Sequence, residues 1–382
     1  MEFRNLKYQY QVLKKDIDQA VLDVMQSGAF IMGQPVRELE ALLADYVGVK
    51  HCISCANGTD ALTLALKVWG IGPGDAVFVP DFTFFASAEV VCLEGATPVF
   101  VDVDADTFNI SPSDLERAIQ EVIAESKLTP KVIIAVDLFG LPANYPAIRK
   151  IAEKYQLYIL EDGAQGFGGS INGKRACSFG DISTTSFFPA KPLGCYGDGG
   201  AVFTNNDDWA ALVDSYRVHG KGSYKYDNVR IGMNSRLDSI QAAILQVKLK
   251  AFRDYELEAV NKAATQYTEL LKDVVKTPVI PDGFVSSWAQ YTIQLPTKEE
   301  RDALQIALKT HDIPSMVYYP KPMHVQTAFI KRCQSEFFFP HSIRLSERVL
   351  SLPIYPYLTK GDISNLAHII LQEIAKYNCY AG

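Results

Sequence analysis

The chain has 382 residues, 48% of them hydrophobic and 21% charged, enough apolar material for a large core with a smaller companion. Its formal charge of −7 argues against a general nucleic-acid or anionic-membrane surface and leaves only local basic pockets for phosphates. The opening MEFRNLKYQYQVLKKDIDQAV carries charges throughout instead of the apolar centre of a secretion signal. No apolar run approaches the roughly 20 residues of a membrane-spanning helix, so a cytoplasmic protein is expected. The 7 cysteines, an odd number, read as reduced thiols. Cys52 and Cys55 form a CxxC, but no second pair or histidine cluster completes a zinc site, and no metal is expected.

Strand and helix patterns alternate through the first two-thirds. HCISC reads as a strand in which cysteine packs as a small hydrophobe. GTDALTLALKVW is a helix with Ala61, Leu62, Leu64, Ala65 and Leu66 on one stripe. AVFVP is then a strand, ASAEVVCLEG a helix and TPVFVDVD a strand; SPSDLERAIQEVIAES opens as a helix with Ser111 as N-cap and Pro112 at its first position. KVIIAVDL, NYPAIRKIAEKY and QLYILED continue as strand, helix and strand. Such alternation with near-continuous apolar strands predicts an α/β fold, a parallel sheet covered by helices on both faces. After Asp238 the pattern changes to a long helical stretch over Ser239–Val274. A smaller α+β unit follows, with WAQYTIQL and SMVYYP as strands and ERDALQIALKTH and GDISNLAHIILQEIAKY as helices.

Ligands of open parallel sheets bind beyond the carboxyl ends of the strands, and four features fall there. ANGTDAL places Gly58 and Thr59 at a helix start, where free N–H groups either hold a phosphate or merely cap the helix. Asp162 closes the apolar strand LYIL, as an N-cap or as the partner of a buried cation. PDFTFFASA puts Phe82, Phe84 and Phe85 after a strand, where core packing is the commoner role. SFFPAKPLGCYGDGGA sets Lys191 where a strand pattern breaks off, before four glycines. Pyridoxal 5'-phosphate accounts for all four: it needs a lysine for its aldehyde, a carboxylate at its pyridine nitrogen, a phosphate cradle and a ring to stack on. Apolar neighbours such as Phe187 and Phe188 would lower the pKa of Lys191 by desolvation.

These motifs in this order resemble the sugar aminotransferases of the DegT/DnrJ/EryC family, which have the fold of type I pyridoxal-phosphate enzymes. The resemblance runs from SGAFIMGQPVRELE through GTDAL, VDVDADTFNI, EDGAQ, SFFPAKPLGCYGDGGA and GMNSRLDSIQAA to LSLPIYPYLT. It implies a large cofactor-binding domain over 1–250, with the first residues packing on the small domain, and a smaller α+β domain over 251–382. Carried over, Lys191 joins the cofactor and moves the proton, Asp162 pairs with the pyridine nitrogen, and Gln165 bonds the ring hydroxyl. Gly58, Thr59 and Ser186 bind the phosphate and Phe84 stacks on the ring, with Phe82 or Phe85 as the other choices of register. Asn234 matches a residue that reaches the phosphate from the neighbouring subunit, which implies a homodimer with shared active sites. Lys191 stands where a dehydrating subset of the family has histidine, so transamination is implied, with L-glutamate as donor.

Within the family the chain is similar to the enzymes that aminate UDP-2-acetamido-2-deoxy-3-oxo-glucuronate, through CISCANGTDAL and NSRLDSIQAAIL. Arg236 is then a candidate for the sugar's carboxylate through two parallel hydrogen bonds, or else a structural partner of Asp238. In VYYPKPMH, Lys321 is a candidate for the diphosphate, Tyr318 and Tyr319 for uracil or sugar, and His324 for the substrate; a solvated lysine and packed tyrosines are the plainer reading. His219, in RVHGKG, is expected near an active-site loop, and no particular role follows for it from the sequence. A C4 aminotransferase acting on a UDP-4-keto-6-deoxy-N-acetylhexosamine is the rival within the enzyme class, and a non-catalytic regulatory relative the rival outside it.

Overall fold

Strands rich in Val and Ile assemble into one seven-stranded sheet in the order His51–Cys55, Gly200–Thr204, Ile182–Ser186, Tyr158–Asp162, Thr129–Val136, Asp75–Pro80, Thr97–Val101. The computed structural model describes residues 1–224, 226–330 and 338–380, with side chains through 376. Cys333 and the side chain of Cys379 therefore lie outside the described residues. The five strands from Thr97–Val101 to Ile182–Ser186 run parallel, whereas Gly200–Thr204 runs antiparallel to both of its neighbours. Val132, Ile133, Ile134 and Ala135 are each 0% exposed, because helices cover both faces of the sheet. Ser111 caps the helix Pro112–Glu125 by accepting from the Asp114 N–H, with Pro112 at its first position.

The antiparallel strand has a consequence for the site. Gly200 pairs with Ser186 on one side and with Cys55 on the other, so the turn after Cys55 is drawn up beside Ser186. The carboxyl ends of six strands, together with the start of Gly200–Thr204, thus meet at one edge of the sheet.

The helix Ser239–Ala251 continues through a single π-helical turn, Phe252–Glu256, into the helix Leu257–Leu271. Beyond it a second core gathers Tyr267, Tyr291, Leu304, Leu350, Leu366 and Ile370 around the antiparallel pair Tyr291–Gln294 and Val349–Leu352. The expectation of a strand over SMVYYP is corrected here. That stretch makes one isolated bridge, Met316 to Ser351, and then runs irregularly, because Tyr318 and Tyr319 turn away to pack against the core of the large sheet. The N-terminal helix Leu6–Ser27 lies along Ser239–Ala251, and its Gln9 side chain donates to Glu256 at 2.8 Å. Among the described residues no helix is long and apolar enough to cross a membrane. Cys52 and Cys55 are both buried, with free thiols.

Two buried carboxylates at strand ends fasten the C-terminal unit to the sheet. Asp81 accepts from the His324 backbone N–H at 2.8 Å and lies 2.7 Å from its ring Nδ1. Asp102 accepts from the N–H groups of His341 and Ser342 and from the Ser342 hydroxyl. Since a buried donor left unpaired costs about 1–3 kcal/mol, Asp102→Ala should lower the stability of the fold by at least about that amount. The shift of the urea midpoint at unchanged slope measures it.

Candidate active site

A cavity of about 660 Å³ opens at the carboxyl ends of the strands. One wall begins at the turn after Cys55. Asn57 caps the helix Gly58–Val68 by accepting from the Asp60 N–H at 2.8 Å, which leaves the first N–H groups of the helix, those of Gly58 and Thr59, as donors at its positive end. A Cβ on Gly58 would stand 2.7 Å from the Cβ of Ser186, and one on Gly200 only 2.4 Å from the Asn57 carbonyl oxygen. Glycine at both positions lets helix start, strand end and Ser186 hydroxyl converge. Ser186 Oγ accepts from the Phe188 N–H at 3.2 Å and keeps its own O–H as a donor.

Lys191 sits in a loop that closes on itself: its N–H donates to the Phe188 carbonyl, and the Cys195 and Phe187 N–H groups donate to Phe187 and Gly199. Burial lowers the Lys191 amine to about 8; Asp162 opposes this and the Arg4 cation adds to it. Asp162 is 5% exposed. Burial raises its carboxyl, while hydrogen bonds from the Ser87 hydroxyl (2.7 Å) and the Ala164 N–H (3.2 Å) and the charge of Lys191 oppose the rise. Gln165 accepts from the Phe139 N–H through Oε1 at 2.7 Å and donates through Nε2 to the Tyr319 hydroxyl at 3.0 Å. Tyr319, from the C-terminal unit, thereby closes the cavity above the sheet.

Of the three phenylalanines, Phe84 is the one presented to the cavity, at 53% exposure. Phe82 is 1% exposed in the core, and Phe85 packs on Phe329 with ring centroids 5.0 Å apart. The cavity thus brings together Lys191, Asp162, Gln165, Ser186, Gly58, Thr59, Phe84 and Tyr319. It does not take in Asn234, Arg236, Lys321 or His324 of the same chain. Lys321 is exposed, and His324 is engaged by Asp81 and stacked on Phe339 at 4.7 Å, which turns it to holding the fold together. Arg236 and His219 line a separate groove, and Asn234 bridges Val218 through its backbone. Sequence reasoning missed Asn57, Ser87 and Gln290, which also line the cavity. Asn57 was legible as an N-cap residue before Gly-Thr; nothing local marked Ser87 or Gln290.

The donor set fits pyridoxal 5'-phosphate: a phosphate at Gly58, Thr59 and Ser186, an acidic partner in Asp162, an amine in Lys191 and a ring in Phe84. The comparisons agree with this chemistry. Residues 11–371 match the model of the DegT/DnrJ/EryC1/StrS aminotransferase family. The chain belongs to that family. It is 44% identical over 366 residues, 95% of this chain and 97% of the relative, to a UDP-2-acetamido-2-deoxy-3-oxo-D-glucuronate aminotransferase of Pseudomonas aeruginosa. It is also 44% identical, over 98% of this chain and 97% of the relative, to a protein of Geobacillus stearothermophilus named as a pleiotropic regulatory protein. The solved structure of a family aminotransferase from Brucella abortus superposes with a TM-score of 0.95 at 50% identity, covering 97% of this chain and 99% of that one. Solved relatives hold the cofactor in its pyridoxal or pyridoxamine form. This DegT/DnrJ/EryC1/StrS member is accordingly a pyridoxal-phosphate-dependent nucleotide-sugar aminotransferase of fold type I.

Two outcomes follow from the geometry. Gly58→Ala should fold but bind pyridoxal phosphate roughly tenfold or more weakly, since its Cβ displaces Ser186 from the phosphate donors; titration of the visible absorbance of the bound cofactor measures it. Only the neutral amine attacks an aldehyde, so the rate at which cofactor-free protein takes up pyridoxal phosphate should rise with pH and level off above about 8.

Proposed function

We propose that the chain transfers the amino group of L-glutamate to C3 of UDP-2-acetamido-2-deoxy-3-oxo-D-glucuronate, yielding 2-oxoglutarate and the 3-amino sugar nucleotide, in glycan or polysaccharide synthesis. The observation that carries the transamination is the buried amine of Lys191 in one cavity with the buried carboxylate of Asp162, and the similarity to the Pseudomonas aeruginosa relative supports the choice of sugar. Pyridoxal phosphate, when bound, supplies the electron sink for the carbanion at the reacting carbon. Lys191, neutral near the working pH, takes the proton from the α-carbon of glutamate and delivers one to C3 of the sugar. Asp162 holds a proton on the pyridine nitrogen, Gln165 orients the ring hydroxyl, and Phe84 covers the ring face. Gly58, Thr59 and Ser186 anchor the phosphate.

Asn234 and Arg236 act across a homodimer in this reading, Asn234 on the partner's phosphate and Arg236 on the sugar carboxylate. Their place outside the cavity of their own chain supports it, as does the exposure of Ile231 at 91% and Val229 at 55% on the same segment. Tyr319 and Lys321 complete the substrate contacts, and the protein works in the cytoplasm. A division into a large unit over 1–250 and a small one over 251–382 is supported by the π-helical turn Phe252–Glu256 that follows the helix Ser239–Ala251.

The name of the Geobacillus relative keeps a regulatory reading in view, and a two-step experiment separates the two. L-glutamate should bleach the visible band of the cofactor-loaded protein, and the UDP-linked 3-keto glucuronate should restore it. Restoration only by a 4-keto sugar would move the amination to C4, and a band indifferent to glutamate would refute the aminotransferase reading with this donor. Lys191→Ala should keep the fold, by circular dichroism, and lose turnover by about 10³-fold or more.

A further inference from the structure

The N-terminal segment reaches the reactive lysine from outside the cavity. Phe3 meets Tyr318 edge-on with centroids 6.1 Å apart, and Arg4 donates through Nη2 to the carbonyl of Pro192, the residue after Lys191, at 3.4 Å. Behind Arg4 stands Glu256, 1% exposed, at the end of the π-helical turn; the side chains of Gln9 and Tyr357 both donate to its Oε1. Lys248, 2% exposed, is on the same side, with its Nζ over the Tyr196 ring at 4.9 Å. Burial lowers both cations, Arg4 to about 10 with Glu256 opposing, and Lys248 to about 8 with Arg4 adding to the effect. A π-helical turn is rare and often marks a functional position. Here it ends in Glu256, whose charge opposes the lowering of Arg4.

We propose that Arg4 is a positioning residue for Lys191: it holds the carbonyl of Pro192 and places a guanidinium charge at the back of the lysine loop, so that the amine stays oriented. The groups facing Lys191 set the balance. Asp162 comes from the strand Tyr158–Asp162, Asp60 from the helix Gly58–Val68, Asp198 from the lysine's own loop, and Tyr318 and Tyr319 from the C-terminal unit. Of these, Asp162 favours the charged amine, and Arg4 opposes it. Glu256 acts on Arg4, and Arg4 in turn on Lys248.

The inference rests on Lys191 being the residue that joins the cofactor. Its test is the pH dependence of pyridoxal phosphate uptake by cofactor-free protein, read from the visible band, for Arg4→Gln, Arg4→Met and Arg4→Lys beside the parent. Losing the charge in Arg4→Gln and Arg4→Met should move the midpoint up by about one pH unit and slow uptake at neutral pH up to about tenfold, whereas Arg4→Lys should titrate near the parent. Circular dichroism checks that each variant folds. Should Arg4→Met fail to fold, Arg4→Gln against Arg4→Lys decides. A folded Arg4→Gln with the parent's midpoint overturns the role of Arg4. A parent protein that takes up no cofactor, or a Lys191→Ala protein that takes it up with the same band, overturns the assignment of Lys191 instead.

Discussion

A lysine amine and a carboxylate held out of water in one cavity make the constraint on which the site depends. Neither charge is comfortable there: desolvation lowers Lys191 and raises Asp162, and each partly offsets the other. The fold meets the remaining cost with the Ser87 hydroxyl and the Ala164 N–H on Asp162. It leaves the amine with less compensation, and that imbalance is what makes it a nucleophile near neutral pH.

Aspartates stand at or just past four parallel strand ends, and only their partners tell them apart. Asp81 and Asp102 are filled by backbone N–H groups and side chains of the segment after Pro322, and so they join the C-terminal unit to the sheet. Asp137 is buried beneath the turn at Phe139, accepting from the Tyr145 hydroxyl and the Ala143 N–H, and desolvation together with Glu161 pushes its carboxyl far up. Asp162 alone of the four lines the cavity. One recurring sequence feature thus does three different jobs, sorted by what each carboxylate meets.

The two fastened aspartates also explain how the small unit contributes to the site. His324 and Met323 are held at Asp81, and the short run Tyr319–Pro320–Lys321–Pro322, stiffened by its prolines, projects Tyr319 onto Gln165. Phe3 then packs on Tyr318 from behind. The lysine loop, the tyrosine pair and the N-terminal segment are therefore one packed body, although more than 300 residues separate Phe3 from Tyr318 in the chain.

The alternation of apolar strands with capped helices, the helix start at Gly58 and the chemistry of Lys191 and Asp162 were all legible in the sequence, because each rests on local periodicity or on residue type at a strand end. The strand Ile182–Ser186 shows in the sequence only as the pattern that breaks off before Lys191, and Gly200–Thr204 not at all, since Thr-rich and Gly-flanked segments carry a weak apolar pattern. SMVYYP read as a strand because β-branched and aromatic residues favour one, yet its tyrosines are used for packing and for the cavity wall. Which phenylalanine faces the cavity, whether His324 meets Asp81, and how Arg4 reaches Pro192 were decided by tertiary structure alone. Each depends on a contact between residues distant in the chain, and no local pattern encodes a partner that only the folded sheet brings within reach.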